Sequence, residues 1–144
     1  MQALTVLSDT LQSTGADEFK RIDKAIELCA NDEVITPCDF PTEHFLHAGC
    51  YVRNVFLRQH SFLVGAKIKV DTVLIISGDV VINMNGASKR FCGYHIIRAL
   101  NPRQQMIYAN QDTNLTMLYA SDVKTVEEAE QEFTDDYKQL LTRK

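Results

Sequence analysis

The sequence lacks several of the patterns that assign a protein to a class at once. Its four cysteines include no Cys-x-x-Cys pair, which argues against a zinc knuckle or a thioredoxin-like redox motif. No apolar run approaches the roughly 18–20 residues that a membrane-spanning helix needs. Residues 1–11 lack the basic flank and apolar core of a signal peptide. We therefore expect a cytoplasmic protein that has free thiols and contacts no membrane.

A basic face is also missing from the composition. The chain has 15 lysines and arginines against 19 acidic residues, and its net charge is -4. A nucleic-acid-binding domain usually carries a basic surface, so we expect no nucleic acid partner. The 144 residues contain no low-complexity tract and no long Gly/Ser linker, and this length predicts a single domain over residues 1–144.

Short apolar runs separated by turn residues fill the middle of the chain. Many short strands at regular spacing are typical of all-β proteins, so the sequence predicts a mainly β fold with a β-barrel over residues 41–121. The runs are Val52–Leu57, Phe62–Val70, Thr72–Ile76, Val80–Ile82, Phe91–Leu100, Met106–Tyr108 and Asn114–Tyr119.

Two turn signals divide this region. The Asn-Gly pair at 85–86 predicts a hairpin, because both residue types tolerate a positive φ. The Ser-Gly-Asp sequence at 77–79 predicts a second turn, between Val73–Ile76 and Val80–Ile82. The first of these runs is apolar throughout and requires burial on both faces. We expect a second sheet, a helix or another subunit to cover its outer face.

Helical periodicity appears on both sides of the barrel region. An apolar stripe predicts a helix over residues 17–30. Thr125 and Glu128 fit a capping box, and the stripe that follows predicts a helix over residues 125–143. Packing the two helices on the barrel or across a dimer would bury both stripes, so we expect a homodimer or a larger homo-oligomer. The first stripe consists of Phe19, Ile22, Ile26 and Cys29.

A set of short motifs runs through the barrel region and ends in an acidic helix. The motifs are Glu43-His44-Phe45, Gly49–Arg53, Leu63–Lys67, Ser77–Val80, Asp112-Thr113, Tyr119–Ser121 and Glu132–Asp136. Together they resemble small single-domain cupin-like proteins from bacteriophage genomes and environmental sequences. The resemblance implies a cupin-like jelly-roll β-barrel with flanking N-terminal and C-terminal α-helices, a phage origin and a small-molecule ligand.

The resemblance fails at the metal site. Cupins use two or three histidines and a carboxylate that point inward from adjacent strands, and imidazole suits divalent iron, manganese, nickel and zinc. Ile68 stands at the first histidine position of the family pattern and Tyr119 at the last, and residues 70–72 contain no histidine. Because isoleucine cannot ligate a metal and tyrosine rarely does so alone, we expect neither a metal nor another cofactor.

Arg53 leads the candidates for ligand binding. It is a lone charge in an apolar strand, and an inward arginine would need a partner or an anionic ligand. The alternative is an arginine that faces solvent. Tyr51, His95 and Tyr119 complete the predicted ligand-binding set. Strand alternation places Tyr119 on the same face as Leu115 and Met117, so we expect it to enter the barrel.

The histidines supply weaker candidates for catalysis. His95 follows Tyr94 at the start of an apolar run, and an imidazole beside a phenol suits an acid/base pair; a hydrogen-bonded histidine at the barrel rim is the alternative. His44 is the other candidate base. His44 and His47 have an H-x-x-H spacing without a clear third ligand, which favours a packed His44 and an exposed His47 over a metal site.

Three functions follow from these residues. The first is a metal-free binding protein for a small anionic ligand, such as a host nucleotide that a phage protein sequesters or alters. The second is a metal-independent isomerase, epimerase or hydrolase with a histidine base and a tyrosine acid. The third is a non-catalytic virion or assembly protein. An open polar pocket at the barrel mouth would favour the first two functions, whereas the third predicts a mouth filled by Ile68, Leu74, Met117 and Tyr119.

Overall fold

Strands make up most of the protein, and helices flank them. The computed structural model describes residues 10–31 and 38–140. The mainly β fold with a helix on either side, which the sequence predicts, is confirmed. The elements are β1 (Thr10–Leu11), α1 (Ala16–Ala30), β2 (Thr42–His47), β3 (Cys50–Leu57), β4 (Phe62–Val64), β5 (Thr72–Met84), β6 (Ala87–Ala99), β7 (Met106–Ala109), β8 (Thr113–Ala120), α2 (Val126–Phe133) and a 3₁₀ turn (Tyr137–Gln139).

These strands form one mixed sheet. Its main path runs β1-β6-β5-β8-β3-β2, and β7 lies off that path, paired with both β4 and β5. The pairing of β1 with β6 is parallel, and the other pairings are antiparallel. Within the described residues, hydrogen bonds do not close the sheet into a ring. The predicted barrel is therefore an open sheet, consistent with a jelly roll.

The long hairpin of β5 and β6 joins two halves of the sheet. One half contains β8, β3 and β2, and the other contains β7 and β4. Asn85 and Gly86 form its turn with φ angles of 50° and 86°, as the Asn-Gly pair predicts. The other edge of β5 pairs with β8 over Val73–Ser77 and with β7 over Val80–Ile82. Because the partner changes at Gly78, β5 belongs to both halves.

The predicted turn at residues 77–79 is wrong. These residues lie inside β5, where Gly78 pairs with Gly93 of β6. Gly78 has a φ of 150°, and a Cβ there would lie 2.7 Å from Thr113 Cα. A glycine in the middle of a strand can mark a close backbone approach as well as a turn. Here it allows β5 to pass directly over the start of β8.

Two clusters of buried apolar side chains form the core. The larger one lies between the two halves of the sheet and includes Leu57, Ile76, Val80, Phe91 and Ile97. The smaller one joins the sheet to α2, through Tyr51, Met117, Tyr119, Ala129 and Phe133. Along β8 the buried side chains alternate with more exposed ones, so Leu115, Met117 and Tyr119 share the inner face as predicted. The smaller cluster therefore fixes α2 against the sheet.

The C-terminal helix is shorter than predicted. Thr125 caps α2 by accepting a hydrogen bond from Glu128 N at 3.1 Å. The helix ends at Phe133, because Thr134 is extended and the Phe133 carbonyl accepts a hydrogen bond from Lys69 N at 2.8 Å. Residues 141–143 of the predicted helix lie outside the described part. No helix in residues 10–31 or 38–140 is long and apolar enough to cross a membrane.

Candidate functional site

A pocket of about 670 Å³ opens between the sheet and the two flanking helical segments. Its walls come from α1, from the strands β3, β4, β5, β7 and β8, and from the end of α2 with the residues that follow. Ile68, Leu74 and Met117 line it, and Tyr119 is not among the lining residues. Three of the four side chains that would fill the barrel mouth of an assembly protein therefore form the wall of an open pocket instead.

Arg53 lies in this pocket wall on β3. Its side chain points inward and is 6% exposed, and its Nη1 lies 3.4 Å from Oε2 of Glu130, which is fully buried on α2. The guanidinium carbon also lies 5.6 Å from the centre of the Phe133 ring. The carboxylate partner that an inward arginine requires is thus supplied by the chain itself.

Tyr51 and His44 extend the Arg53 pair into a hydrogen-bonded network. The Tyr51 hydroxyl accepts a hydrogen bond from Arg53 Nη1 at 3.1 Å and lies 3.0 Å from His44 Nδ1. Burial raises the pKa of Tyr51, although the charge of Arg53 acts in the opposite direction. The protonated phenol and the His44 imidazole therefore share one hydrogen bond, and the tautomer of His44 sets its direction. Neither residue lines the pocket.

Tyr119 connects β8 to α2 and does not face the pocket. Its hydroxyl donates a hydrogen bond to the Ala129 carbonyl at 2.8 Å. Burial and the neighbouring Glu132 carboxylate raise the pKa of Tyr119 well above its usual range. The hydroxyl therefore stays protonated and holds the helix.

The structure places His95 away from the other predicted site residues. His95 Nε2 lies 2.9 Å from the Cys92 carbonyl, and its ring meets Phe91 edge-on at 5.3 Å. Tyr94 directly precedes His95 and is 50% exposed. Because successive side chains on a strand alternate, Tyr94 points to the opposite face of β6. Arg53, Tyr51, Tyr119 and His44 come together beside α2, whereas Tyr94 and His95 do not join them.

The histidine pair on β2 is also separated. His44 is half-buried and His47 is exposed, because residues three apart on a strand lie on opposite faces. Within residues 10–31 and 38–140, no three histidine, cysteine or acidic side chains come together as metal ligands.

Several polar residues of the pocket are absent from the sequence-based predictions, and Arg103 and Gln104 are the most deeply buried of them. Arg103 and Gln104 lie between β6 and β7, line the pocket, and are 4% and 5% exposed. Burial lowers the pKa of Arg103 to about 10. Among the described residues, Arg103 Nη1 and Gln104 Oε1 have no hydrogen-bond partner. Their segment, 101–105, reads as an ordinary polar loop, so nothing in its composition marks these side chains as buried.

No family model and no curated protein matches the sequence. Similar solved structures include a cupin superfamily protein from Desulfitobacterium hafniense, at 10% identity and a TM-score of 0.47, with 66% of this chain and 88% of that chain covered. The Cupin 2 domain of an XRE family transcriptional regulator from Enterobacter cloacae has 9% identity and a TM-score of 0.46, with 56% of this chain and 95% of that chain covered. A Cupin 2 conserved barrel domain protein from Salinispora arenicola has 8% identity and a TM-score of 0.48, with 64% of this chain and 92% of that chain covered. Cupin proteins are among the solved structures that this chain is similar to.

Proposed function

We propose that the protein is a small-molecule-binding protein whose ligand occupies the pocket described above. The observation that carries this proposal is the pocket itself. Its volume of about 670 Å³ lies in the range of small-molecule sites, which are mostly apolar cavities with a few convergent polar groups. Ile68, Leu74 and Met117 supply apolar wall, and Arg103 supplies positive charge, whereas the charge of Arg53 is compensated by Glu130.

In this proposal, binding needs no metal. An alkyl side chain, Ile68, lies in the pocket wall at a position where the family resemblance has a histidine. The ligand is an anionic metabolite with an apolar body, because aliphatic wall surrounds the buried arginines. A phage protein of this kind would sequester or alter a host metabolite. It works in the cytoplasm, where its cysteines stay reduced, and it works as a homo-oligomer.

The enzyme and assembly functions have less support. A histidine base and a tyrosine acid would have to face the ligand, but His44, His95, Tyr94 and Tyr119 are all outside the pocket lining. An assembly protein would have no use for buried arginines in an open pocket, since their desolvation opposes folding. A binding function accounts for both the pocket and its charges.

Blocking the pocket tests this function. Ala66 lines the pocket, whereas Ala87 is exposed at the start of β6, so Ala66→Phe and Ala87→Phe add the same side chain inside and outside it. Native mass spectrometry would follow adducts of octanol, octanoate and octylamine, and circular dichroism would confirm that both variants fold. We expect adducts with wild type and Ala87→Phe that are lost in Ala66→Phe. Equal adducts in the two variants, or no adduct with wild type, would overturn the proposal.

A further inference from the structure

Arg103 and Gln104 are consecutive residues that both line the pocket, and we call them its polar corner. We propose that this corner recognises a 2-hydroxy acid with an aliphatic chain: the carboxylate binds Arg103, the hydroxyl donates to Gln104, and the chain lies along Ile68, Leu74 and Met117. The inference rests on the proposed function and adds the chemical class of the ligand and the residues that select it.

The state of Arg103 provides the first support. Its pKa of about 10 keeps the buried guanidinium charged at neutral pH. A buried charge is costly unless an opposite charge and hydrogen bonds compensate it. The described residues contain no ion pair to Arg103, and Asp71, the carboxylate that acts on it electrostatically, accepts hydrogen bonds from Asn101. An oxyanion in the pocket would supply the missing partner, and guanidinium binds carboxylate in a two-pronged geometry.

Other charges near the pocket do not take this role. Asp23 and Asp136 are among the lining residues, but Asp23 is exposed and Asp136 is only half-buried. Arg53 is already paired with Glu130. Lys67 also lines the pocket, but it is exposed. Arg103 is therefore the buried cation of the pocket wall that has no ion pair within the described residues.

Gln104 adds a second requirement. Its Nε2 donates a hydrogen bond to the Gly65 carbonyl at 3.0 Å, which fixes the amide orientation because a flipped amide would place two oxygens together. Its Oε1 is a buried acceptor that has no hydrogen-bond partner among the described residues. A ligand hydroxyl that donates to this oxygen would remove the cost of leaving it without a hydrogen bond. One ligand that carries both an acceptor for Arg103 and a donor for Gln104 would therefore satisfy both residues.

The corner is rigid, as a recognition site requires. Arg103 and Ile68 exchange two backbone hydrogen bonds of 2.9 and 2.7 Å. Gln104 N donates to Thr14 Oγ1 at 2.9 Å, and the same hydroxyl donates to the Gln104 carbonyl at 3.1 Å. Since the backbone of this segment is held from two sides, little ordering remains to be done when a ligand binds.

Isothermal titration calorimetry with 2-hydroxyoctanoate, octanoate and octanol tests the proposal on the full chain. We expect wild type to bind the hydroxy acid more tightly than octanoate, and octanoate more tightly than octanol. Arg103→Met should weaken both acids about tenfold to a hundredfold, the effect of losing a charged hydrogen bond, and should leave octanol unchanged. Gln104→Leu should remove the preference for the hydroxy acid. Arg58→Met, at an exposed position, is the matched control and should change nothing.

A stability measurement separates recognition from a structural role. Without ligand, Arg103→Met removes an uncompensated buried charge and should raise the melting temperature. A lower melting temperature would mean that Arg103 serves the fold, and would contradict the inference. Octanol and both acids binding equally would also overturn it while leaving the proposed function intact. If none of the three binds, both proposals fail.

Discussion

The buried pair of Arg53 and Glu130 ties α2 to the sheet. Glu130 is fully buried and Arg53 is 6% exposed on the side chain, and Tyr51 and Phe133 enclose the guanidinium. Such a pair contributes little net stability compared with apolar residues of the same shape, but removing one partner leaves a charge uncompensated in the interior. The pair therefore adds a charged contact to the apolar cluster that holds α2 against the sheet.

Glu130→Gln is expected to destabilise the fold strongly. The amide keeps the shape of the side chain but leaves the Arg53 charge uncompensated, so the free energy of unfolding should fall by about 3–5 kcal/mol. Urea denaturation measures it. Glu127→Gln, at an exposed position one residue into the same helix, should cost under about 1 kcal/mol. Equal effects of the two substitutions would show that the buried carboxylate does not matter.

The sequence left the direction of the Arg53 side chain open and could not identify its partner. A lone charge in an apolar strand indicates either an inward side chain with a partner or a solvated one. Glu130 lies 77 residues further along the chain, on a helix that carries three other glutamates. Choosing it requires the packing of α2 on β3. Arg103 and Gln104 were missed for the same reason, because burial of a polar loop is set by tertiary structure.

At the level of elements, the middle of the β5–β6 hairpin depends on two glycines. Gly78 and Gly93 face each other across the hairpin, with φ angles of 150° and 99°. A Cβ on Gly93 would meet nothing within 4 Å, whereas one on Gly78 would collide with the Thr113 backbone. The two glycines therefore share unusual backbone angles but differ in available space.

Alanine substitutions at this pair should separate backbone strain from steric overlap. We expect Gly93→Ala to cost about 1–2 kcal/mol of unfolding free energy, from the positive φ alone. Gly78→Ala should cost more, because β5 must also move away from β8. Chemical denaturation of both variants measures the difference. If Gly93→Ala were the more harmful of the two, the close approach to Thr113 would not govern this site.

Asp79 stabilises the same part of the hairpin. Its carboxylate accepts two hydrogen bonds from Arg90, of 2.9 and 2.6 Å, and one from Asn110, of 3.0 Å. These hydrogen bonds hold the pKa of Asp79 well below its usual range. A carboxyl with a depressed folded-state pKa stabilises the fold above its unfolded pKa of about 4, and that contribution is lost as the pH falls further.

Asp79→Asn should therefore lower the melting temperature at pH 7 and lose this effect in acid. The difference between wild type and variant should shrink as the pH falls from about 5 towards 2. Calorimetry across this range checks it, with Asp122→Asn, at an exposed position, as the control. A difference that stays constant with pH would mean that the Asp79 charge does not contribute.

Sequence patterns predicted the strands with strong apolar runs and the capped start of α2. They missed β1 and β2, since β1 has two residues and β2 alternates between half-buried and exposed positions, so neither forms an apolar run. The turn at residues 77–79 was predicted because Gly-Asp is a common turn sequence. Only the register with β8 shows that this glycine serves a close approach instead.

At the scale of the whole molecule, one face of the sheet carries an apolar row that the described residues leave partly open. Phe45 pairs with Val52, Val52 with Leu118, and Leu118 with Val73, so the row crosses four strands. Phe45 is 50% exposed and Val73 is 38% exposed. Contiguous apolar patches of this kind mark interaction surfaces, and the sequence predicted that the outer face of Val73–Ile76 needs a cover.

We expect a second copy of the chain to cover this row, because a flat patch can complement itself across a two-fold axis. Multi-angle light scattering at micromolar concentration should give the mass of a dimer for wild type. Val73→Lys places a charge at the β5 end of the row and should yield the monomer mass, since an unpaired charge buried in an interface costs several kcal/mol. Ala87→Lys adds the same charge at an exposed position away from the row and should leave the dimer intact. A monomer mass for wild type would show that the row stays open to solvent, and loss of the dimer in both lysine variants would show that net charge, rather than this surface, governs association.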